Sequence, residues 1–543
     1  MIDTHDVVNQ ATPLRDYNPF ETDLALTRAL SREGAGWAES RMSRFGAAVG
    51  SGETQDLAYL ANRYPPELRT HDAFGHRVDE VDYHPAYHQL MQIAFGGGVH
   101  SLAQNATESG GHVARSVLSY LFNQVENGVG CPTGMAYAAL ALLAAHPQMG
   151  EWAAKLAVED YEPGLVPIAQ KQAITLGMTL TEKQAGSDLR ATMTTARPIT
   201  LGGDEYLLTG HKWFCSAPMS DGFLVMATAE EGPTLFLVPR VHDDGSRNRV
   251  FIQMLKDKCG NRSNASSSIE LHDTYAIRLG EEGTGIRSAM EDAHFTRLDF
   301  AVGSAGMMRQ ALIQAVHYTR GRQAFHKPLG EQPLMLNVLS DLAIESEAMM
   351  VLTLRIARSL DEAGGDAAEA QLRRIGPPLV KYFVCKMVPT FTAETMECMG
   401  GNGYIENHPM ARLYREAPLN TIWEGTSNMV CLDVLRALQR DPNLLDALMD
   451  EFQTGRGGSR ILDAAIDELP DQLVGLDDHP FHARWISERM VRIWQASILV
   501  QHGSEAVADA FISSRLDGGR GTHFGSLRGN IPSERIVEDA FPQ

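Results

Sequence analysis

Residues 178–188 read MTLTEKQAGSD and residues 210–216 read GHKWFCS. The first run leads into a Gly-Ser pair, and the second sets aromatics beside a thiol and a hydroxyl. Both lie in a stretch, about Gly177 to His272, built from short runs such as EYLLTGHKWF, DGFLVMATA, PTLFLVPR and RVFIQML divided by Gly, Asp and Asn. Such β-branched and aromatic runs predict antiparallel strands of a small sandwich or barrel. Outward from this block the texture becomes helical. From Leu24 to Ala173, apolar residues recur at three- and four-residue steps, as in Val113, Val117, Leu118, Leu121 and Val125. After GEEGTGIR, long helical stretches run from Met290 to Arg440, with a turn expected at Gly364–Gly365. Helices of that length pack best side by side as a bundle. A last segment follows DPN and is broken by GRGGSR and RLDGGRGTHFGSLRGN. The expected fold class is α+β, mostly α. Its segments are an N-terminal helical domain (1–176), a middle β domain (177–288), a C-terminal four-helix bundle (289–440) and an appended helical domain (441–543).

Composition narrows the function classes. Of the 543 residues, 44% are hydrophobic and 21% charged, as in a globular chain. Lys and Arg number 47 against 68 Asp and Glu, a net charge of −21 that repels phosphate backbones on average. The six cysteines (Cys131, Cys215, Cys259, Cys385, Cys398, Cys431) are scattered with no C-x-x-C pair, which fits reduced thiols and no metal site. The polar opening MIDTHDVVNQ lacks the features of a signal peptide, and the longest apolar run, Met135 to His146, falls short of the ~20 residues a bilayer needs. The expectation is a soluble, cytoplasmic protein with no membrane association.

Four segments carry candidate chemistry, each with a bland reading beside it. Gly186-Ser187 exposes backbone N–H groups and a hydroxyl to a phosphate or a flavin edge, or is a polar turn. The run Lys212 to Ser216 offers a bed for a planar ring, or is strand core. The glycines of ECMGGNGY, Glu397 to Tyr404, cap a helix, admit a ligand to the backbone, or both. In IWEGTSN, Ile422 to Asn428, Glu424 sits at the mouth of a helix, as a dipole-stabilised surface carboxylate or as a general base held in a cleft.

Taken together, T-E-x-x-A-G-S-D (Thr181 to Asp188), K-W-F-x-S (Lys212 to Ser216), R-x-x-F (Arg322 to Phe325), E-x-x-G-G-x-G-Y (Glu397 to Tyr404) and W-E-G-T-S (Trp423 to Ser427) occur in the order and roughly the spacing of the acyl-CoA dehydrogenase family. The resemblance covers about residues 178 to 440. The long N-terminal extension, the block LKDKCGNRSNASSSIE and the extra C-terminal segment resemble the AidB-like branch, flavoproteins of the bacterial alkylation response.

The resemblance implies FAD between the β domain and the C-terminal bundle, with Met178, Leu180, Thr181, Gly186 and Ser187 against the isoalloxazine. Phe214 stands at a position where the family usually has Trp, and Ser216, at the usual Thr, keeps a hydroxyl near flavin N5. Arg322 matches an arginine that reaches the FAD pyrophosphate of a neighbouring subunit, implying a homo-oligomer, typically a tetramer. Gly401, Trp423, Thr426 and Asn428 match positions on the adenosine side. His326 stands where the family has Gly, which puts the local loop in doubt. Glu424 aligns with the usual catalytic base, and the alternative base position holds Thr296. The implied activity is α,β-dehydrogenation of an acyl-CoA or related thioester, with Glu424 as base and flavin N5 as hydride acceptor. Electrons would pass to an electron-transfer flavoprotein or oxygen. The end of the acyl pocket is expected near Cys131 and Phe295.

The branch also suggests an alternative, a DNA-associated flavoprotein with little dehydrogenase activity. Its best candidate contacts are Arg436, Arg440, Arg515, Arg520 and Arg528. Against it, residues 441–543 contain nine Arg, no Lys and seventeen Asp or Glu, a net −8, so weak binding at most is expected.

Overall fold

The computed structural model describes residues 4–475, 480–518 and 520–542; the first three residues of the polar opening stretch and Gly519 of the glycine-rich loop lie outside the described residues. The chain forms two compact units that do not follow the four sequence segments. One comprises Met1–Gly52, Asn123–Val125 and Phe300–Gln543, the other Glu53–Phe122 and Glu126–Asp299.

The second unit contains the β structure. The strands are β1 (Glu67–His71), β2 (Arg77–Asp82), β3 (Leu176–Thr179), β4 (Thr195–Pro198), β5 (Glu205–Ser216), β6 (Gly222–Ala229), β7 (Gly232–Pro239), β8 (Val250–Leu255) and β9 (Ser266–Leu279). Hydrogen bonding runs β3-β6-β4-β5-β9-β7, and β7 pairs back onto β6, so β6, β4, β5, β9 and β7 close on themselves as a barrel. β8 pairs with β9. The barrel expected from the sequence is present, with one difference: β3 and β4 run parallel to β6. Its filling comes from alternate residues, among them Leu208, Cys215, Phe223, Val225, Phe236, Ile252 and Ile269.

The hairpin β1–β2 corrects the all-helical reading of residues 24–173. Its strands are short and polar, so they carry little apolar periodicity. Instead, directly opposite residues pair by charge, as Arg69 with Glu80 at 2.6 Å. The turn is set by Asp72, whose carboxylate accepts from Phe74 N and His76 N, and by Gly75 at φ +85°.

The first unit holds the long helices. Pro333–Glu362 ends at the Gly364–Gly365 turn as expected, and Ala367–Cys398 begins on Asp366, whose carboxylate accepts from Ala368 N and Glu369 N. The part of helix Gly285–Gly321 from Phe300 on belongs to this unit and packs on the second of these where Cys385 Sγ donates to Phe300 O, and Ser427–Arg440 lies alongside.

The C-terminal helices Asn443–Gln453, Arg460–Leu473, Ala483–His502, Glu505–Arg515 and Ser533–Ala540 belong to this unit, and the first, third and fourth of them are tied to it by buried charge. Asp341 and Glu345, one turn apart on Pro333–Glu362, are fully buried. Glu345 accepts from Arg492 at 2.7 Å and Arg515 at 3.0 Å, while Asp341 pairs with Arg515 and lies 3.2 Å from Arg520. Burial alone would raise the Glu345 carboxyl, but the Arg492 and Arg515 guanidinium groups outweigh it and hold the group down at about 2. Arg355 forms a second bridge, donating to Glu369 and to Glu451 at 2.6 Å.

Removing one partner of such a cluster leaves an uncompensated buried charge. Arg515→Ala is expected to destabilise this unit by about 3–5 kcal/mol, measured as a shift of the urea midpoint at unchanged slope. A loss of under about 1 kcal/mol would show that Arg492 and Arg520 suffice.

Candidate functional site

The motif T-E-x-x-A-G-S-D leaves β3 and is held to β5 by one buried ion pair. Lys212 Nζ donates to Glu182 Oε1 at 2.7 Å, with both side chains fully buried, and also to Leu180 O at 3.2 Å. Glu182 additionally accepts from Met193 N at 2.8 Å and Thr194 N at 3.1 Å, and its own N–H and carbonyl exchange bonds with Ala185. Burial pushes the Glu182 carboxyl up, but the Lys212 and Thr194 donors outweigh it and bring it to about 2. The acid of this motif is therefore a clamp rather than a reacting group.

Around this clamp the two segments alternate. Thr179 and Cys215 are buried, and Thr179 Oγ1 donates to Phe214 O at 2.8 Å, while Trp213 N donates to Thr181 O at 2.8 Å. The intervening Met178, Leu180 and Ser216 are half-buried, and Phe214 is 49% exposed. Gly186 and Ser187 are exposed. Two adjoining segments that bury alternate residues and carry Met, Leu, Phe and Ser towards the surface make an apolar platform with hydroxyls at its edge. That suits a flat heteroaromatic ring, so these residues fit a flavin. Beside the platform, Ser216 Oγ lies 3.2 Å from Ser266 Oγ, to which Lys258 donates at 3.0 Å, and Lys256 Nζ sits over the Trp213 ring.

At the expected end of the acyl pocket, Cys131 is buried and Phe295 packs against His112 and Tyr137, with ring centroids 5.8 and 5.6 Å away. His112 Nδ1 and the Tyr137 hydroxyl are 2.7 Å apart. Arg115 lies over the Tyr137 ring, 3.9 Å from its centroid, and pairs with Asp299. This polar, aromatic cluster was not legible in the sequence.

In the other unit, Glu424 occupies a turn of unusual backbone: its φ is +55° and that of Gly425 is +95°. The turn is gripped on both sides. Trp423 stacks on Phe300 at 4.4 Å and donates from Nε1 to Asn420 Oδ1 at 2.9 Å, while Asn420 donates to Ser304 Oγ at 2.9 Å. Beyond it, Lys381 Nζ donates to Gly425 O. Helix Ser427–Arg440 then starts with Thr426 at its N-cap, whose side chain makes no capping bond. Asn428 is engaged within the chain, accepting from Arg484 Nε at 2.9 Å.

The glycines of ECMGGNGY divide by role. Gly400, at φ +57°, ends the helix Ala367–Cys398. A Cβ on Gly403 would lie 2.4 Å from Met396 O, so that glycine is required by packing. Gly401, the one assigned to the cofactor, faces open space.

Arg322 donates to Asn9 O, and Phe325 and His326 form a two-residue turn at φ +52° and +66° between Gln323–Ala324 and Lys327–Pro328. His326 thus adopts the left-handed conformation that a glycine would favour, and the hairpin closes despite the side chain. Phe325 is 90% exposed at its tip. Thr296, at the alternative base position, is buried and donates to Ala293 O at 3.3 Å.

Two of the five arginines proposed for DNA contact are corrected by their positions. Arg515 is 1% exposed and Arg520 14%, and both are bound to the Asp341–Glu345 cluster because those buried carboxylates need counter-ions. Arg436, Arg440 and Arg528 are exposed. Among the described residues, no His, Cys, Asp and Glu group is arranged to hold a metal ion, and no helix is long and apolar enough to cross a membrane.

The chain's likeness to known proteins defines its class, a flavin oxidoreductase: it belongs to the acyl-CoA dehydrogenase family. Residues 177–274 match the family's middle domain and residues 283–439 its C-terminal domain. Residues 9–163 match the adaptive response protein AidB N-terminal domain, which places the chain in the AidB-like branch. It is 40% identical over 517 residues to the AidB protein of Escherichia coli strain K12, covering 95% of each chain. It is 29% identical to acyl-CoA dehydrogenase family member 11 of Caenorhabditis elegans, covering 90% of this chain and 85% of that one. The crystal structure of C. elegans ACDH-11 in complex with C11-CoA superposes with a TM-score of 0.87 at 25% identity, covering 99% and 97% of the two chains.

Replacing Lys212 tests the clamp. Lys212→Met would leave the Glu182 carboxylate buried without its cation, so FAD content and melting temperature should both fall, with about 3–5 kcal/mol of stability lost at pH 7. Because Glu182 titrates lower in the folded than in the unfolded chain, its stabilisation is complete above the unfolded value near 4.5 and is lost as pH falls towards 2. The acid limb of the stability profile should therefore flatten in Glu182→Gln, and an unflattened limb would assign the acid sensitivity elsewhere.

Proposed function

We propose that this chain binds FAD noncovalently and oxidises an acyl-CoA or a related thioester to the α,β-unsaturated thioester, with Glu424 as the base. The observation that carries the reading is the Glu424 carboxylate on a turn fixed at Trp423 and Gly425, in a chain that also carries the flavin-type platform. A thioester α-proton is too weakly acidic to leave unaided at neutral pH, so a carboxylate must be held over it. In the proposed step the α-C–H bond breaks, Glu424 takes the proton, and the electron pair forms the new double bond as the β-hydride departs. FAD, when bound, supplies the acceptor for that hydride.

Met178, Leu180, Thr181, Phe214 and Ser216 would hold the ring, Gly186 and Ser187 its polar edge, and Gly401, Trp423, Thr426 and Asn428 the remainder of the cofactor. The exposed hairpin carrying Arg322 and Phe325 supports a homo-oligomer, proposed as a tetramer, in which Arg322 reaches a neighbour's cofactor. The C11-CoA bound to the C. elegans relative supports a long aliphatic thioester as the first substrate to try.

The deciding experiment is anaerobic bleaching of the purified protein's flavin spectrum by a panel of acyl-CoAs, including undecanoyl-CoA. Glu424→Gln should keep its FAD and lose reduction by at least about a thousandfold, since the amide preserves shape and cannot accept the proton. An unchanged reduction rate would move the base elsewhere.

The DNA-associated alternative keeps three exposed arginines on a molecule of net charge −21. Duplex DNA should not be retained in a mobility-shift titration at about 0.15 M salt, where charges are screened beyond about 8 Å. Tight retention abolished by Arg436→Ala would favour that alternative.

A further inference from the structure

Lys381 lies within PLVKYFVC, in the middle of helix Ala367–Cys398, and is 1% exposed. Taking an ammonium out of water costs several kcal/mol unless it is well bonded. Here the ammonium donates to the carbonyl oxygen of Gly425, the residue that follows Glu424. Its charge reaches two neighbouring thiols: burial raises both Cys385 and Cys431, and Lys381 opposes that rise in each.

The bonded peptide is the one that needs holding. Glu424 has a Cβ and yet sits at φ +55°, a conformation that is disfavoured by about 1–3 kcal/mol and persists only where its surroundings enforce it. Trp423 is fixed from one side by Phe300 and Asn420. Without a second anchor, the Glu424–Gly425 peptide could relax towards ordinary backbone angles, swinging the carboxylate away from its direction.

We propose that Lys381 is the positioning residue for the Glu424 base: its buried ammonium, bonded to Gly425 O, locks the left-handed turn that aims the carboxylate. This rests on the reading of Glu424 as the base. Lys381 touches neither substrate nor cofactor in this role and acts through the backbone of its neighbour. A misplacement of about 1 Å at a reacting group can cost on the order of a hundredfold in rate, so the effect belongs in the chemical step and not in binding.

The test compares wild type, Glu424→Gln and Lys381→Met in the FAD-loaded full chain, by anaerobic stopped-flow reduction with undecanoyl-CoA and by amide hydrogen exchange across residues 422–428. Lys381→Met is expected to keep FAD content and the undecanoyl-CoA dissociation constant within about twofold while the limiting reduction rate falls ten- to a hundredfold. Exchange across 422–428 should rise without a rise elsewhere. Parallel losses of FAD, affinity and rate would mean that Lys381 only supports the fold and would overturn the proposal. So would an unchanged limiting rate with unchanged exchange. Full reduction of Glu424→Gln would instead sink the assignment of the base. If undecanoyl-CoA does not reduce the wild-type flavin, the exchange measurement decides alone, and unchanged exchange overturns the proposal. Should Lys381→Met fail to fold, Lys381→Gln, which keeps a polar head at the buried position, carries the same comparison.

Discussion

Buried carboxylates that must be neutralised organise much of this molecule. Asp341 and Glu345 lie one turn apart inside Pro333–Glu362, in the run SDLAIESEAMMV. Two acids so close repel one another and cannot both stay ionised without cations at hand. Arg492, Arg515 and Arg520 supply them from the last fifty or so residues, and Arg355 draws Glu451 to Glu369 in the same way. These pairs tie Asn443–Gln453, Ala483–His502 and Glu505–Arg515 to the first unit. The cluster also redistributes charge: each arginine drawn inside leaves the exterior with fewer cations, in a chain whose net charge is already −21. That is a poor starting point for binding a phosphate backbone.

Buried cations recur where the chemistry is expected. The Glu182–Lys212 pair fixes the platform turn and leaves Met178, Leu180, Thr181 and Ser216 half-buried on its outer side. Lys381 is buried against the backbone of the Glu424 turn. In both places a buried lysine orders the main chain, and the residues assigned to cofactor and substrate project from what it has ordered. Rigidity of this kind is what a proton transfer between fixed partners requires.

How much of this could be read from the sequence depended on range. Features written in local pattern were legible: the strand block around EYLLTGHKWF, the Gly364–Gly365 turn, and the long helices on either side of it. The hairpin Glu67–Asp82 was not, because its strands are joined by charge pairing rather than by an alternating apolar face. The two units were not, because residues 1–52 join residues 300–543 only in three dimensions. The arginines of the C-terminal segment looked like surface charge because their partners, Asp341 and Glu345, lie about 150 to 180 positions away. Lys381 did leave a signal, a single cation inside an apolar helical run, but its partner, Gly425 O, could not be inferred from spacing.

The backbone at Glu424 explains why a base would be placed on a turn. On a helix, a glutamate side chain can sample several rotamers along a smooth surface, and its direction follows from those alone. At φ +55° between an anchored indole and a bonded carbonyl, the direction of the Cα–Cβ bond is set by the two anchors before any rotamer is chosen. Gly425 is what makes the geometry possible, since a second residue with a Cβ at φ +95° would add strain beyond that already carried by Glu424. His326 makes the contrast. It too occupies left-handed space, but on an exposed two-residue hairpin whose own ladder favours that conformation, and no buried cation is needed to hold it. The difference between the two sites is therefore one of enforcement: a turn that only closes a loop rests on local hydrogen bonds, whereas the turn bearing Glu424 is tied to two long helices by side chains brought from 44 and about 120 residues away.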